Sequence, residues 1–193
     1  MNKNIIFSAV MVLMAAIFIA VMPTEAECAV YEDTVRLHIL AESDSAEDQA
    51  VKIALRDAVL SEFGTRLRAA ECADDARCTL EDMVDEIEAF CNAELENIGH
   101  FGGASVTLTE EWYETREYAD FTLPAGVYTS LKIVIGEGDG QNWWCVMYPP
   151  MCLDVACGES AKDKYTDEEQ ALISGNGYRA KFKILELISS AFS

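Results

Sequence analysis

The chain has 193 residues, 51% of them apolar and 25% charged, with 11 Gly and 4 Pro. That composition excludes disordered, collagenous and multi-span membrane proteins. Fourteen basic against 34 acidic residues leave a net charge of −20, which repels phosphate backbones and anionic lipid and so argues against nucleic-acid binding.

Lys3 precedes a weakly polar to apolar run from Ile5 to Met22, which Pro23 ends. Such a segment is expected to meet membrane. Thr24-Glu25-Ala26 offers small residues where a signal peptidase reads, so residues 1–26 are expected to be a signal peptide or signal anchor. Residues 27–193 then form a single exported α+β domain. Glu27 before Cys28 disfavours a lipoprotein. Seven cysteines in an exported domain suggest disulfides, with Cys145–Cys152 and Cys72–Cys78 as candidate local pairs and, the number being odd, at least one cysteine unpaired or paired with another chain. Cys91 falls on a helical apolar face and reads as core. No metal site is expected, since paired Cys-x-x-Cys motifs are lacking and His38 and His100 are the two histidines.

Along the chain, Val35, Leu37 and Ile39 alternate with Arg36 and His38, predicting a strand with one polar face. Ser45-Ala-Glu-Asp48 is a capping box, and Val51, Leu55, Val59 and Phe63 predict a helix over 46–63 closed by Gly64. A polar stretch is expected to lead to a second box at Thr79, from which a strongly amphipathic helix runs to Gly99. The period then changes to two. Strands are predicted over 104–109, 119–123, 127–135 and 143–148, with Leu123-Pro-Ala-Gly126 as a turn and Pro149-Pro150 as a stop. Thr166 is expected to cap a short helix ended by Gly175, and a C-terminal helix is expected over 178–192. The fold class that follows is α+β: a mostly antiparallel sheet of about five strands with helices packed on one face, preceded by the N-terminal export segment.

Chemistry is sparse in this pattern. Gly136-Glu-Gly-Asp-Gly140 places carboxylates where a phosphate loop needs amides and a Lys-Ser/Thr, so it reads as a tight turn. Cys145 with His38 or His100 is a conceivable thiol dyad, but Trp-Trp-Cys-Val reads as buried and Cys152 offers a disulfide instead. Trp143 and Trp144 stand above background: on a strand they point to opposite faces, so one enters the main core and the other needs cover or a partner.

Residues 36–45 (Arg-Leu-His-Ile-Leu-Ala-Glu-Ser-Asp-Ser), Leu123-Pro-Ala-Gly-Val-Tyr128, Ile133-Val-Ile-Gly-Glu-Gly138, Gln141-Asn-Trp-Trp-Cys-Val146 and Lys181-Phe-Lys-Ile-Leu-Glu186 resemble the stage II sporulation protein R family. The resemblance spans most of the exported chain and departs at Glu42, where asparagine is expected, and at Gln141, where histidine is common. It implies a signalling protein of endospore formers, made in the forespore and secreted into the intermembrane space facing the mother cell. There it would activate a membrane-embedded aspartic protease, the sigma-E factor processing peptidase, which cleaves the pro-sigma-E precursor. No catalytic residue or cofactor is then expected, and Arg36, His38, Asp44, Trp143 and Trp144 are the expected partner-binding residues. An exported cell-wall hydrolase or a wall-binding module is the alternative.

Overall fold

The computed structural model describes residues 3–118, 121–151 and 164–174. Helix α1 (Lys3–Val21) is exposed along its apolar length, and α2 (Glu25–Glu32) follows. Then come β1 (Val35–Leu40), α3 (Ala46–Arg68), α4 (Ala73–Ile98), β2 (Ala104–Tyr113), β3 (Arg116–Glu117), β4 (Thr122–Leu123), β5 (Gly126–Ile135), β6 (Asn142–Tyr148) and α5 (Asp167–Ser174). Among the described residues no helix is long and apolar enough to cross a membrane.

The fold is α+β, but the sheet is mixed and four-stranded, in the order β2-β5-β1-β6. Central strand β1 runs parallel to β5 and antiparallel to β6, and β2 runs antiparallel to β5. The expected fifth strand does not join the sheet. Thr122–Leu123 pairs with Arg116–Glu117 in a separate small hairpin, because two residues before Pro124 are too few to form a full-length ladder.

Helices α3 and α4 cover one face, where Leu37, Ile39, Leu131, Ile133 and Met147 meet Leu55, Val59, Phe63, Leu80, Ile87 and Leu95. The expectation of helices on one face alone is corrected by a second core. There Val30 of α2 and Leu172 and Ile173 of α5 close over Tyr113, Tyr128 and Val146 on the opposite side. Strand β1 is therefore buried on both faces, and Arg36 and His38 do not form the solvated polar face their alternation suggests.

Both long helices outrun their expected limits. Gly64 is a buried interior residue of α3, because Leu67 continues the stripe of Val59 and Phe63 one turn further. Helix α4 begins at Ala73, with Asp74 and Asp75 in its first turn favoured by the helix dipole. Buried Ala73 and Ala76 extend the stripe backward, so Thr79 is an interior residue. Gly99, at φ +86°, ends α4 in the left-handed conformation that glycine adopts without strain. Helix α5 carries the expected reciprocal cap between Thr166 and Glu169, whereas the expected C-terminal helix over 178–192 lies outside the described residues.

The 136–140 segment is the expected tight turn, and its amides are already used. Gly136 N donates to Gly103 O at 2.9 Å, Asp139 N to Glu42 O at 3.2 Å and Gly140 N to Ala41 O at 2.9 Å. This leaves a phosphate little to bind.

Candidate partner-binding surface

Register decides which expected residues meet. Opposite Ile39 and His38 on β1 stand Trp143 and Trp144 of β6, so the two indoles leave the sheet on opposite faces. Trp143 packs against the α3/α4 core, with the Arg56 guanidinium 4.9 Å from its ring centre. Trp144 packs on the second core. It stacks on His38 with ring centres 5.6 Å apart and carries Arg116 of β3 over its outer face at 4.1 Å.

His38, 9% exposed, is held at both ring nitrogens. Nδ1 lies 3.0 Å from Glu111 Oε2 of β2, and Nε2 lies 2.7 Å from Asn142 Oδ1 of β6. Lys132 of β5, in register with His38, donates to Glu111 Oε1 at 2.9 Å. Burial raises the Glu111 pKa, but the hydrogen bonds from His38 and Lys132 outweigh it and hold the carboxyl at about 2. These three side chains bridge three strands, leaving Trp144 and Arg116 as the accessible rim.

Arg36 has no exposed surface. Its guanidinium lies 3.8 Å from the Tyr113 ring centre and 5.0 Å from that of Tyr128, and Nη2 donates to Tyr118 Oη at 3.1 Å. Nε and Nη1 are buried without a hydrogen-bond partner. In this conformation Arg36 reaches a partner only through the tyrosines above it. Arg36, His38 and Trp144 thus form one cluster. Trp143 faces α3, and Asp44 is exposed on the β1–α3 connection, where its charge opposes the desolvation that lowers the pKa of Lys52. Lys52 Nζ, nearly buried, donates to Gln49 Oε1 at 2.6 Å and to Gln141 O at 2.8 Å, tying α3 to the start of β6.

Several members of the cluster escape the sequence reading. Glu111 and Tyr113 share the face of Ser105, Thr107 and Thr109, so carrying the period of two four residues further would have found them. Arg116 and Tyr118 come from the β3–β4 excursion, for which no periodicity exists.

The disulfide offered at Cys145 in place of a thiol dyad is present. Cys145 is buried and disulfide-bonded, so its sulfur is not a free nucleophile. Cys152, its expected partner, lies outside the described residues. Cys72 and Cys78 are both free. The first stands at the N-terminal boundary of α4 without a side-chain capping bond and the second sits inside the helix, six residues apart, about 9 Å along its axis and beyond disulfide reach. Cys91 is core, and burial pushes its thiol up to about 12.

Glu42, Asp48 and His100 bring three ligand-type atoms within 4.8 Å of one another. His100 Nε2 lies 2.7 Å from Glu42 Oε2 and 3.5 Å from Asp48 Oδ1. The Gly102 amide, however, donates to His100 Nδ1 at 3.3 Å, which places the ring proton on Nε2, facing the carboxylates. The trio works as a hydrogen-bonded clasp between the β1–α3 and α4–β2 connections rather than as a cation cage. Ser43 and Ser45 hydrogen bonds, and then His100, hold Asp48 below the usual aspartate range.

A family model described as Stage II sporulation protein R (spore_II_R) matches residues 31–157. Stage II sporulation protein R of Bacillus subtilis (strain 168) is 37% identical over 138 residues, covering 71% of this chain and 62% of that protein. The chain thus spans less than two thirds of that relative's length. No solved structure matches.

Proposed function

The chain belongs to the stage II sporulation protein R family, and from that premise we propose that it is an intercompartmental signal of sporulation rather than a catalyst. In this reading residues 1–26 direct export from the forespore, and the remainder acts in the space between the two membranes. It binds the extracytoplasmic side of a membrane-embedded aspartic protease and shifts it toward its active arrangement, and the protease then cleaves pro-sigma-E. Such a shift requires tighter binding to the active than to the resting form.

Family membership across residues 31–157 carries the reading. The exposed apolar helix α1, ended by Pro23, supports the export step. The disulfide at Cys145 weighs against a thiol hydrolase acting on the wall. Of the residues proposed for contact, Trp144 with Arg116 offers the accessible surface, while Arg36 and His38 hold it in place from beneath.

The test is co-expression with the candidate protease and the sigma precursor in a non-sporulating host. Precursor cleavage that depends on this chain supports the proposal; cleavage independent of it, or none with it, refutes it. Trp144→Ala is expected to abolish activation with the fold retained. Loss of folding would assign that ring to the core alone, and the same comparison at Trp143 separates the two faces of β6.

A further inference from the structure

Strand β2 is an outer strand with β5 on one side. In an antiparallel ladder, alternate residues direct both backbone groups away from the neighbour, and Ala104 shows which residues these are. Its N–H donates to Asn92 Oδ1 at 2.8 Å and its C=O accepts from Asn92 Nδ2 at 2.9 Å, both on α4. Val106 continues the set, donating to Glu88 Oε2 at 2.9 Å. The register with β5 runs without a shift from Ala104 to Tyr113, so Leu108, Glu110 and Trp112 are the next outward residues. Their backbone groups find no hydrogen bond on the free side among the described residues. Helix α4 closes the first half of the edge and leaves the second half open.

The open half carries an apolar patch. Trp112 and Val127 pair across β2 and β5 and are 45% and 47% exposed. With Pro23, Tyr31 and Ala125 they line a cleft of about 270 Å³. Glu110 and Glu32 line the adjoining depression with Arg77, whose guanidinium is already taken up by Glu32 O and Asp74 Oδ1. Exposed edges are ordinarily blunted by charged side chains, proline or bulges; Leu108-Thr-Glu-Glu-Trp112 has neither proline nor bulge, and its two charges, Glu110 and Glu111, are both acidic.

We propose that Leu108–Trp112 receives an extended segment of a protein partner as an added strand. One apolar side chain of that segment enters the Trp112/Val127 cleft and one basic side chain meets Glu110. The unmet groups recur at every second residue, the spacing of an incoming strand and not of a small molecule. Charge selects the partner: a second copy of a chain of net charge −20 would set Glu110 against like charge, whereas a basic strand is attracted. The inference rests on the proposed protease-activating role and places the partner segment on that protease.

Hydrogen exchange of the full chain with and without the detergent-solubilised protease tests it, alongside co-expressed precursor cleavage. The amides of Leu108, Glu110 and Trp112 are expected to exchange at least about tenfold more slowly in the complex, since each gains a hydrogen bond. Glu110→Pro removes an N–H that the fold does not use, so it is expected to keep the melting temperature while weakening binding about tenfold or more. Glu110→Lys, which leaves the backbone intact, is expected to weaken binding as well and covers the case in which the proline variant does not fold. If the wild type drives precursor cleavage while these amides stay unprotected and Glu110→Lys activates normally, the edge is not the site and the functional proposal stands. Protection that grows with chain concentration alone means self-pairing and overturns the partner assignment. No cleavage with the wild type overturns both.

Discussion

Glu111→Gln removes the charge at the centre of the β1–β2–β5 cluster while keeping the side chain's size. The wild-type carboxyl is 17% exposed and accepts from Lys132 at 2.9 Å, with His38 Nδ1 at 3.0 Å. These partners hold it at about 2, against an ordinary glutamate value of 4.5. At about 1.4 kcal/mol per pH unit, the difference corresponds to stability on the order of 3 to 4 kcal/mol at neutral pH. Because the folded-state pKa is depressed, that contribution is full above about pH 5 and is lost as the pH falls toward 2. Urea unfolding at a series of pH values between 7 and 2.5 is the assay. The variant is expected to be less stable than wild type by that amount at pH 7, with the gap closing as acid neutralises the wild-type carboxyl. The subtraction isolates this one group from the other carboxylates. A gap that stays constant with pH, or is absent at pH 7, would refute the assignment.

Arg36→Met exchanges a buried cation for an apolar side chain of similar length. It forfeits two ring contacts of about 1 to 2 kcal/mol each and one charged hydrogen bond of about 2. It also relieves a desolvation cost of several kcal/mol and two unmet donors of about 1 to 3 each. Chemical denaturation is therefore expected to place it within about 1 kcal/mol of wild type or above it, and a loss beyond about 3 would show the cation to be indispensable. Gly140→Ala would set a Cβ 2.3 Å from Ser43 O; backbone cannot yield cheaply, and thermal melting is expected to show a loss of more than about 2 kcal/mol. Native-state alkylation followed by mass spectrometry is expected to label exposed Cys72 and Cys78 and to spare Cys91 until the chain unfolds.

Elements with a long apolar stripe were legible in the sequence. Helix α4 shows this best: Leu80, Met83, Ile87, Cys91 and Leu95 lie on one face and Gly99 stops it. Its first turns were not legible, because Ala73 and Ala76 bury as completely as leucine while giving a weak hydrophobic signal. The second core was the larger omission. Thr24 and Glu27 form a reciprocal cap on α2, a pattern present in the sequence but overshadowed by reading that stretch as a processing site. Position 26 lies in the first turn of this helix. Once α2, α5 and the β3–β4 hairpin cover the outer face, Arg36 and His38 change from surface to interior, a tertiary effect that local alternation does not encode. Trp143 and Trp144 were separable in advance, since a strand leaves adjacent side chains no choice but opposite faces.

The position of β1 has a consequence for how the molecule matures. Its two ladder neighbours are β5 and β6, the latter ending at Tyr148, so the strand synthesised first waits for the two synthesised last. Closing so long a loop before any reward makes acquisition of the native state slow and late. In the export step proposed above, a chain threaded amino-end first through a translocation pore would stay unlocked until Tyr148, residue 148 of 193, had emerged.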